Sequence, residues 1–171
     1  NGKTLGIVGY GRIGAHVAGI ARAIGMKVSA WSRSLDNDKA AATGIKFRLL
    51  DDLLAEADIV SVHTALNAET RGLIDARRLA LMKPGAYLVN TARAAIVDQD
   101  ALLDALESGK LAGAGLDVFD PEPLPQMHPF TGLSNVVMTP HIGWPTDDSY
   151  ERFASAACDA LADYLDSQRL A

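Results

Sequence analysis

Apolar residues along this chain fall into two rhythms that take turns. Short, mostly apolar runs at residues 5–8, 28–31, 58–62, 86–90, 112–118 and 136–139 read as strands. Between several of them the spacing changes to one apolar position every three or four residues. That rhythm predicts a helix over 13–24, with Val17, Ile20 and Ala21 on one face, and further helices at 51–56, 76–82 and 98–108. Asp98 suits an N-cap, and Gly109 follows the last turn of its helix. A final helix over about 147–166 carries Phe153, Ala157, Leu161, Tyr164 and Leu165 at helical spacing. Four of the seven prolines lie within 121–129, which predicts a long, stiff loop. Strands and helices alternating in this way predict an α/β fold, a doubly wound, mostly parallel sheet with helices on both faces.

Gly9-Tyr10-Gly11-Arg12-Ile13-Gly14 stands between the first strand and the first helix. There the first glycine permits a tight turn, the second lets the backbone approach a pyrophosphate, and the third lets helix and strand pack closely. Backbone N–H groups at the helix start then face the phosphates, and the helix dipole favours their charge. Alone the motif is weak. With a strand before it and a helix after it, it predicts a Rossmann dinucleotide-binding fold. The second strand of that fold usually ends in an acid that binds the ribose 2′-hydroxyl. Here the residues are Trp31-Ser32-Arg33-Ser34, with no carboxylate. Ser32 and Ser34 can donate hydrogen bonds and Arg33 can pair with a 2′-phosphate, which leans towards NADP rather than NAD. The alternative is that Arg33 is solvated, or stacks on adenine in either cofactor.

Composition narrows the classes. A chain of 171 residues, 49% apolar, fits one dinucleotide-binding domain with a substantial core. No apolar run approaches ~20 residues, so no transmembrane helix is expected. The formal charge is −5 with no basic cluster, which argues against nucleic acid as a partner. The single cysteine, Cys158, cannot form an internal disulfide and suits a reducing cytoplasm. No metal site is expected. The sequence starts at Asn1 without a basic-then-apolar leader, so no signal peptide is read, and trimming is expected to have set this start.

Three later segments are more specific than the glycine turn. They are Met82-Lys83-Pro84-Gly85-Ala86-Tyr87-Leu88-Val89-Asn90-Thr91-Ala92-Arg93, then Gly115-Leu116-Asp117-Val118-Phe119 leading to Glu122-Pro123, then Thr139-Pro140-His141-Ile142-Gly143. In their order and spacing, and over nearly its whole length, the chain resembles the D-isomer-specific 2-hydroxyacid dehydrogenase family. The resemblance implies an NAD(P)-dependent oxidoreductase that interconverts D-2-hydroxy acids and 2-keto acids, such as a glyoxylate or hydroxypyruvate reductase or a 3-phosphoglycerate dehydrogenase. It implies that Arg93 holds the substrate carboxylate, that His141 is the acid/base and that Glu122 is its partner. The chemistry is reasonable on its own terms. A guanidinium fork suits a planar carboxylate, and a carboxylate beside an imidazole fixes its tautomer. A histidine so held can take the hydroxyl proton during oxidation and return it during reduction. By the same resemblance Asp117 binds the nicotinamide carboxamide and Arg12 and Ile13 contact the pyrophosphate. Thr64, Thr91, Ala92 and Gly143 make further cofactor contacts.

Three positions depart from the family pattern. Ala94 follows Arg93 where glycine is frequent, Ala65 stands where proline is common, and Trp144 follows Gly143 where small residues are frequent. None removes a candidate catalytic group. In the family the nucleotide domain is inserted within a substrate domain built from both chain ends. The chain is therefore expected to be an excised central domain that holds Arg93, Glu122 and His141 but lacks most of the substrate pocket, with its two ends as cut points. A homodimer through this domain is also implied. A nucleotide-sensing corepressor-like binding module of the same family is the competing reading, and a formate- or phosphite-type dehydrogenase would use the same core. The remaining candidates are expected to be structural. His16 and His128 read as packing residues, as does His63 near the crevice. Cys158 reads as core on the last helix, and Asp147, Asp148, Glu151 and Arg152 as a solvated helix start.

Overall fold

The computed structural model describes residues 2–169, so Asn1, one expected cut point, lies outside the described residues. The strands are β1 (Thr4–Val8), β2 (Lys27–Trp31), β3 (Lys46–Phe47), β4 (Ile59–Val62), β5 (Ala86–Asn90), β6 (Leu111–Leu116) and β7 (Val136–Met138). They form one sheet in the order β3-β2-β1-β4-β5-β6-β7, and every neighbouring pair is parallel. The helices are α1 (Arg12–Ala23), α2 (Asn37–Ala42), α3 (Leu50–Glu56), α4 (Ala76–Leu81), α5 (Gln99–Glu107) and α6 (Asp147–Arg169). The doubly wound α/β sheet expected from the alternating rhythms is the fold that forms.

Central parallel strands are covered on both faces, which is why they read as unbroken apolar runs. On one face Leu5, Ile7, Val28 and Ala30 meet Ala18 and Ala21 of α1 and Ala40 of α2. On the other, Val8, Val60, Val62 and Leu88 meet Leu53 of α3, Leu79 of α4 and Leu102 of α5. Small residues on α1 let it lie close to the sheet: Gly14, Ala18 and Ala21 are its buried positions. Asp98 caps α5 as predicted, its side chain accepting from Ala101 N at 3.1 Å, and Gly109 takes the left-handed φ of 71° just beyond.

Two elements lie outside the periodic reading, α2 and β3. The first is one and a half turns long, capped by Asp36, which accepts from Lys39 N at 2.9 Å. The second has two residues and pairs only with β2, at Ser29–Lys46 and Ala30–Phe47. Neither is long enough to show a period.

The chain divides into two compact units, one ending at Pro140 and the other beginning at His141. The first holds the sheet and α1–α5. The second holds α6, whose N-terminus is capped by Thr146: its hydroxyl accepts from Ser149 N at 3.2 Å. Among the described residues no helix is long and apolar enough to cross a membrane.

Candidate active site

The chain runs outward from β1 to β3 and then returns to β4 on the other side of β1. Loops leaving the carboxyl ends of β1, β2 and β4 therefore diverge around one crevice, the switch point where doubly wound sheets take ligands. The glycine turn lies at its centre. Gly9 has φ 105°, and a Cβ there would fall against the backbone of His63 and Thr64, so only glycine fits. Gly14 is buried in the first turn of α1, where a Cβ would meet the Gly9 carbonyl and Ile7 Cγ2. Gly11 differs: a Cβ there meets nothing within 4 Å, so the space beside it is open. Gly11 is also the N-cap of α1, and no side chain caps that end. Arg12 and Ile13 begin the helix, both exposed. An uncapped helix N-terminus facing open space beside a glycine is the arrangement a pyrophosphate needs.

At the end of β2, Ser32 is half-buried and its Oγ has no hydrogen-bond partner, being closed off from solvent. Arg33 is exposed and pairs with Glu69, a partner that sequence reasoning did not supply. Glu69 sits in the loop after β4, in a tight turn. Asn67 Oδ1 accepts from Glu69 N at 2.9 Å and Thr70 N at 3.1 Å, and Thr70 Oγ1 donates to Ala65 O at 2.6 Å. Thr64 precedes this turn, half-buried against Gly9. His63 follows β4, half-buried: Nε2 lies 2.9 Å from Ser61 Oγ, and burial pulls its imidazole below the ordinary value, favouring the neutral form.

Arg93 leaves the carboxyl end of β5 on a loop folded by Asn90. Asn90 is 2% exposed. Its Nδ2 donates to Arg93 O at 2.9 Å and its Oδ1 accepts from Ala92 N at 3.0 Å. Thr91 and Arg93 are exposed and Ala92 is half-buried. Asn90 was read only as a strand residue, although an asparagine that bonds its own following backbone is a known turn-former. Ala94 fits without strain, because His141 is the one non-glycine residue with positive φ among the described residues. At the end of β6, Asp117 is 5% exposed and Thr139 Oγ1 donates to its Oδ1 at 2.5 Å. Glu122 follows on the proline-rich loop, exposed, with Oε1 accepting from Phe119 N at 2.8 Å. His128 is structural: Nδ1 accepts from Phe130 N at 3.2 Å and its ring lies 4.8 Å from that of Phe130.

The first unit thus brings Gly9, Gly11, Arg12, Ile13, Gly14, Ser32, Arg33, Thr64, Thr91, Ala92, Arg93, Asp117 and Glu122 to the carboxyl edge of its sheet. His141 and Gly143 belong to the second unit. His141 has φ 56°, a left-handed conformation in which non-glycine residues are uncommon and which concentrates at functional sites. Trp144 lies 5.6 Å from Tyr150 and 6.0 Å from Phe153, ring to ring. Asp147, Asp148, Glu151 and Arg152 are solvated, as expected. Cys158 corrects the expectation of a core residue, for it is exposed. Along the same helix Phe153 is 64% and Leu161 58% exposed.

Comparison with known proteins agrees with this geometry. Residues 1–143 match the model of the D-isomer specific 2-hydroxyacid dehydrogenase NAD binding domain. A glyoxylate reductase from Aeropyrum pernix is 49% identical over 160 residues, covering 94% of this chain and 48% of that protein. A D-3-phosphoglycerate dehydrogenase from Synechocystis is 41% identical over 163 residues, covering 95% of this chain and 29% of that one. The crystal structure of a phosphoglycerate oxidoreductase from Vibrio cholerae superposes with a TM-score of 0.90 at 34% identity, over 98% of this chain and 54% of the other. The chain spans half or less of the two enzymes matched by sequence. Residues, fold and relatives coincide: the chain belongs to the D-isomer specific 2-hydroxyacid dehydrogenase family and carries its NAD binding domain.

Proposed function

We propose that the protein of which this chain is part is an NAD(P)-dependent oxidoreductase that interconverts D-2-hydroxy acids and 2-keto acids. The observation that carries the reading is the uncapped N-terminus of α1 beside Gly11, next to a loop on which Asn90 presents Arg93. The bound dinucleotide supplies the redox equivalent. Everything else falls to the chain. Arg12, Ile13 and the backbone N–H groups of the first turn of α1 hold the pyrophosphate, and Thr64, Thr91, Ala92 and Gly143 line the rest of the cofactor. Asp117 would hold the nicotinamide carboxamide. Arg93 binds the substrate carboxylate in a two-point grip and orients its C2 carbonyl. His141 delivers a proton to the C2 oxygen in reduction and removes it in oxidation, and Glu122 is the carboxylate proposed as its partner.

The cofactor is proposed to be NADPH in preference to NADH, because Arg33 and not an acid follows β2. The second wall of the cleft is proposed to come from a substrate domain outside these residues, which the partial coverage of the relatives supports. Pairing with a second copy is proposed on the exposed Ile20 of α1 and Ile24 just beyond it, 54% and 65% accessible. A reducing cytoplasm fits the lone cysteine. The test is a panel of 2-keto acids, including glyoxylate and hydroxypyruvate, given to the full-length protein with NADPH or NADH. Turnover of at least one, faster with NADPH, is expected. Tight dinucleotide binding without turnover of any would replace the enzyme by a nucleotide-sensing module.

A further inference from the structure

Arg33 and Glu69 are 36 residues apart in sequence, yet Nη1 and Oε2 lie 2.5 Å apart. The strands β2 and β4 flank β1. The pair therefore joins the loop after β2 to the loop after β4, across the end of β1 where the glycine turn lies. An exposed pair of long side chains ordinarily fluctuates and is worth little. Here one end is fixed. Glu69 N donates to Asn67 Oδ1 at 2.9 Å, and Thr70, 1% exposed, pins the same turn by accepting from Asn67 N at 2.8 Å and donating to Ala65 O at 2.6 Å. No carboxylate ends β2, but one is brought from another loop to the same guanidinium.

We infer that Glu69 sets the choice between the two nicotinamide dinucleotides by competing with a 2′-phosphate for Arg33. The inference rests on the proposed reading of Arg33 as the 2′-phosphate ligand. A 2′-phosphate must displace the carboxylate from the cation and then sit beside a like charge. A 2′-hydroxyl carries no charge and meets neither cost; it can donate to the carboxylate instead. Glu69 thus lowers affinity for NADPH and spares NADH. Its removal strengthens NADPH binding by about three- to tenfold, the scale of a single partly screened charge at the surface.

The test is equilibrium binding of NADPH and NADH to the full-length protein, by calorimetry, for wild type, Glu69→Gln, Arg33→Ala and the double variant. Both side chains are more than half exposed, so the variants keep the fold. Glu69→Gln is expected to tighten NADPH by about three- to tenfold, to leave NADH within about twofold, and to lose much of its gain as salt is raised. In the Arg33→Ala background the same change should gain less than about twofold, because the competition acts through Arg33. If Arg33→Ala weakens NADPH but Glu69→Gln leaves the ratio of affinities unchanged, the competition is overturned and the reading of Arg33 stands. An Arg33→Ala variant that binds NADPH as well as wild type removes that reading and the inference with it.

Discussion

Three glycines in one turn should give three different outcomes when each is changed to alanine. Gly9 has φ 105°, and its Cβ would be driven against the backbone of His63 and Thr64. The left-handed conformation costs about 1–2 kcal/mol for a residue with a Cβ, and overpacking against backbone adds about 1–3 kcal/mol. Gly9→Ala should therefore lose about 2–5 kcal/mol of stability. Gly14→Ala gains about 1 kcal/mol in helix propensity, but its Cβ meets the Gly9 carbonyl and Ile7 Cγ2, the latter at 3.1 Å. Against an overpacking cost of about 1–3 kcal/mol, a net loss of up to about 2 kcal/mol is expected. Gly11 has φ −96° and ψ −162°, which alanine adopts freely, and open space around its Cβ position. Gly11→Ala should lose no more than about 1 kcal/mol, the difference between glycine and alanine as an N-cap. Its methyl group would nevertheless occupy the approach to the pyrophosphate, so dinucleotide affinity should fall at least about tenfold. Urea unfolding of each variant, with titration of NADH and NADPH, separates the effects. A Gly11→Ala variant that binds either dinucleotide normally, or is as unstable as Gly9→Ala, would refute the assignment of the loop.

Asn90→Ala removes both hydrogen bonds that fold the Arg93 loop; a stability loss of about 1–3 kcal/mol is expected in urea, with a raised KM for the 2-keto acids proposed as substrates of the full-length protein. Wild-type KM would show that Asn90 does not position Arg93. Asp51 is held by Arg77 at 2.8 and 3.2 Å and by Arg78 at 2.9 Å. Hydrogen bonds from Arg77 and then Arg78 lower its pKa from 3.8 to about 2. A folded pKa below the unfolded one adds stability above the unfolded value and loses it as pH falls through the folded one. The cost of Asp51→Asn, no more than about 1 kcal/mol for so exposed a pair, should thus be present at neutral pH and vanish as pH drops from 3.8 to about 2. An undiminished difference at the acid end would contradict the ion-pair account. Glu122→Gln should slow 2-keto acid reduction while leaving dinucleotide affinity within about twofold, since the role proposed for it lies with the acid/base and not the cofactor; steady-state rates and calorimetry decide.

The sheet was legible because its central strands are covered on both faces and its longer helices repeat every three to four residues. The glycine turn was legible because its glycines stand at fixed spacing between a strand and a helix. What escaped was short or distant. Elements α2 and β3 have six and two residues, too few to show a period. Asn90 looked like one more strand residue, since a side chain that bonds the following backbone leaves only an asparagine as its trace. The Arg33–Glu69 pair is created by the sheet order, which sets the loops after β2 and β4 on either side of β1. Cys158 shows the opposite error. The apolar face of α6 was read correctly as periodic, but periodicity says that a face favours cover and not that this chain supplies it.

The most direct measurement is the rate of 2-keto acid reduction by the full-length protein with and without His141. The account predicts that His141→Ala lowers the rate by about 10²–10⁴-fold, the usual contribution of a positioned acid/base, while dinucleotide affinity stays within about twofold. Undiminished reduction in His141→Ala would contradict the assignment of the proton to His141.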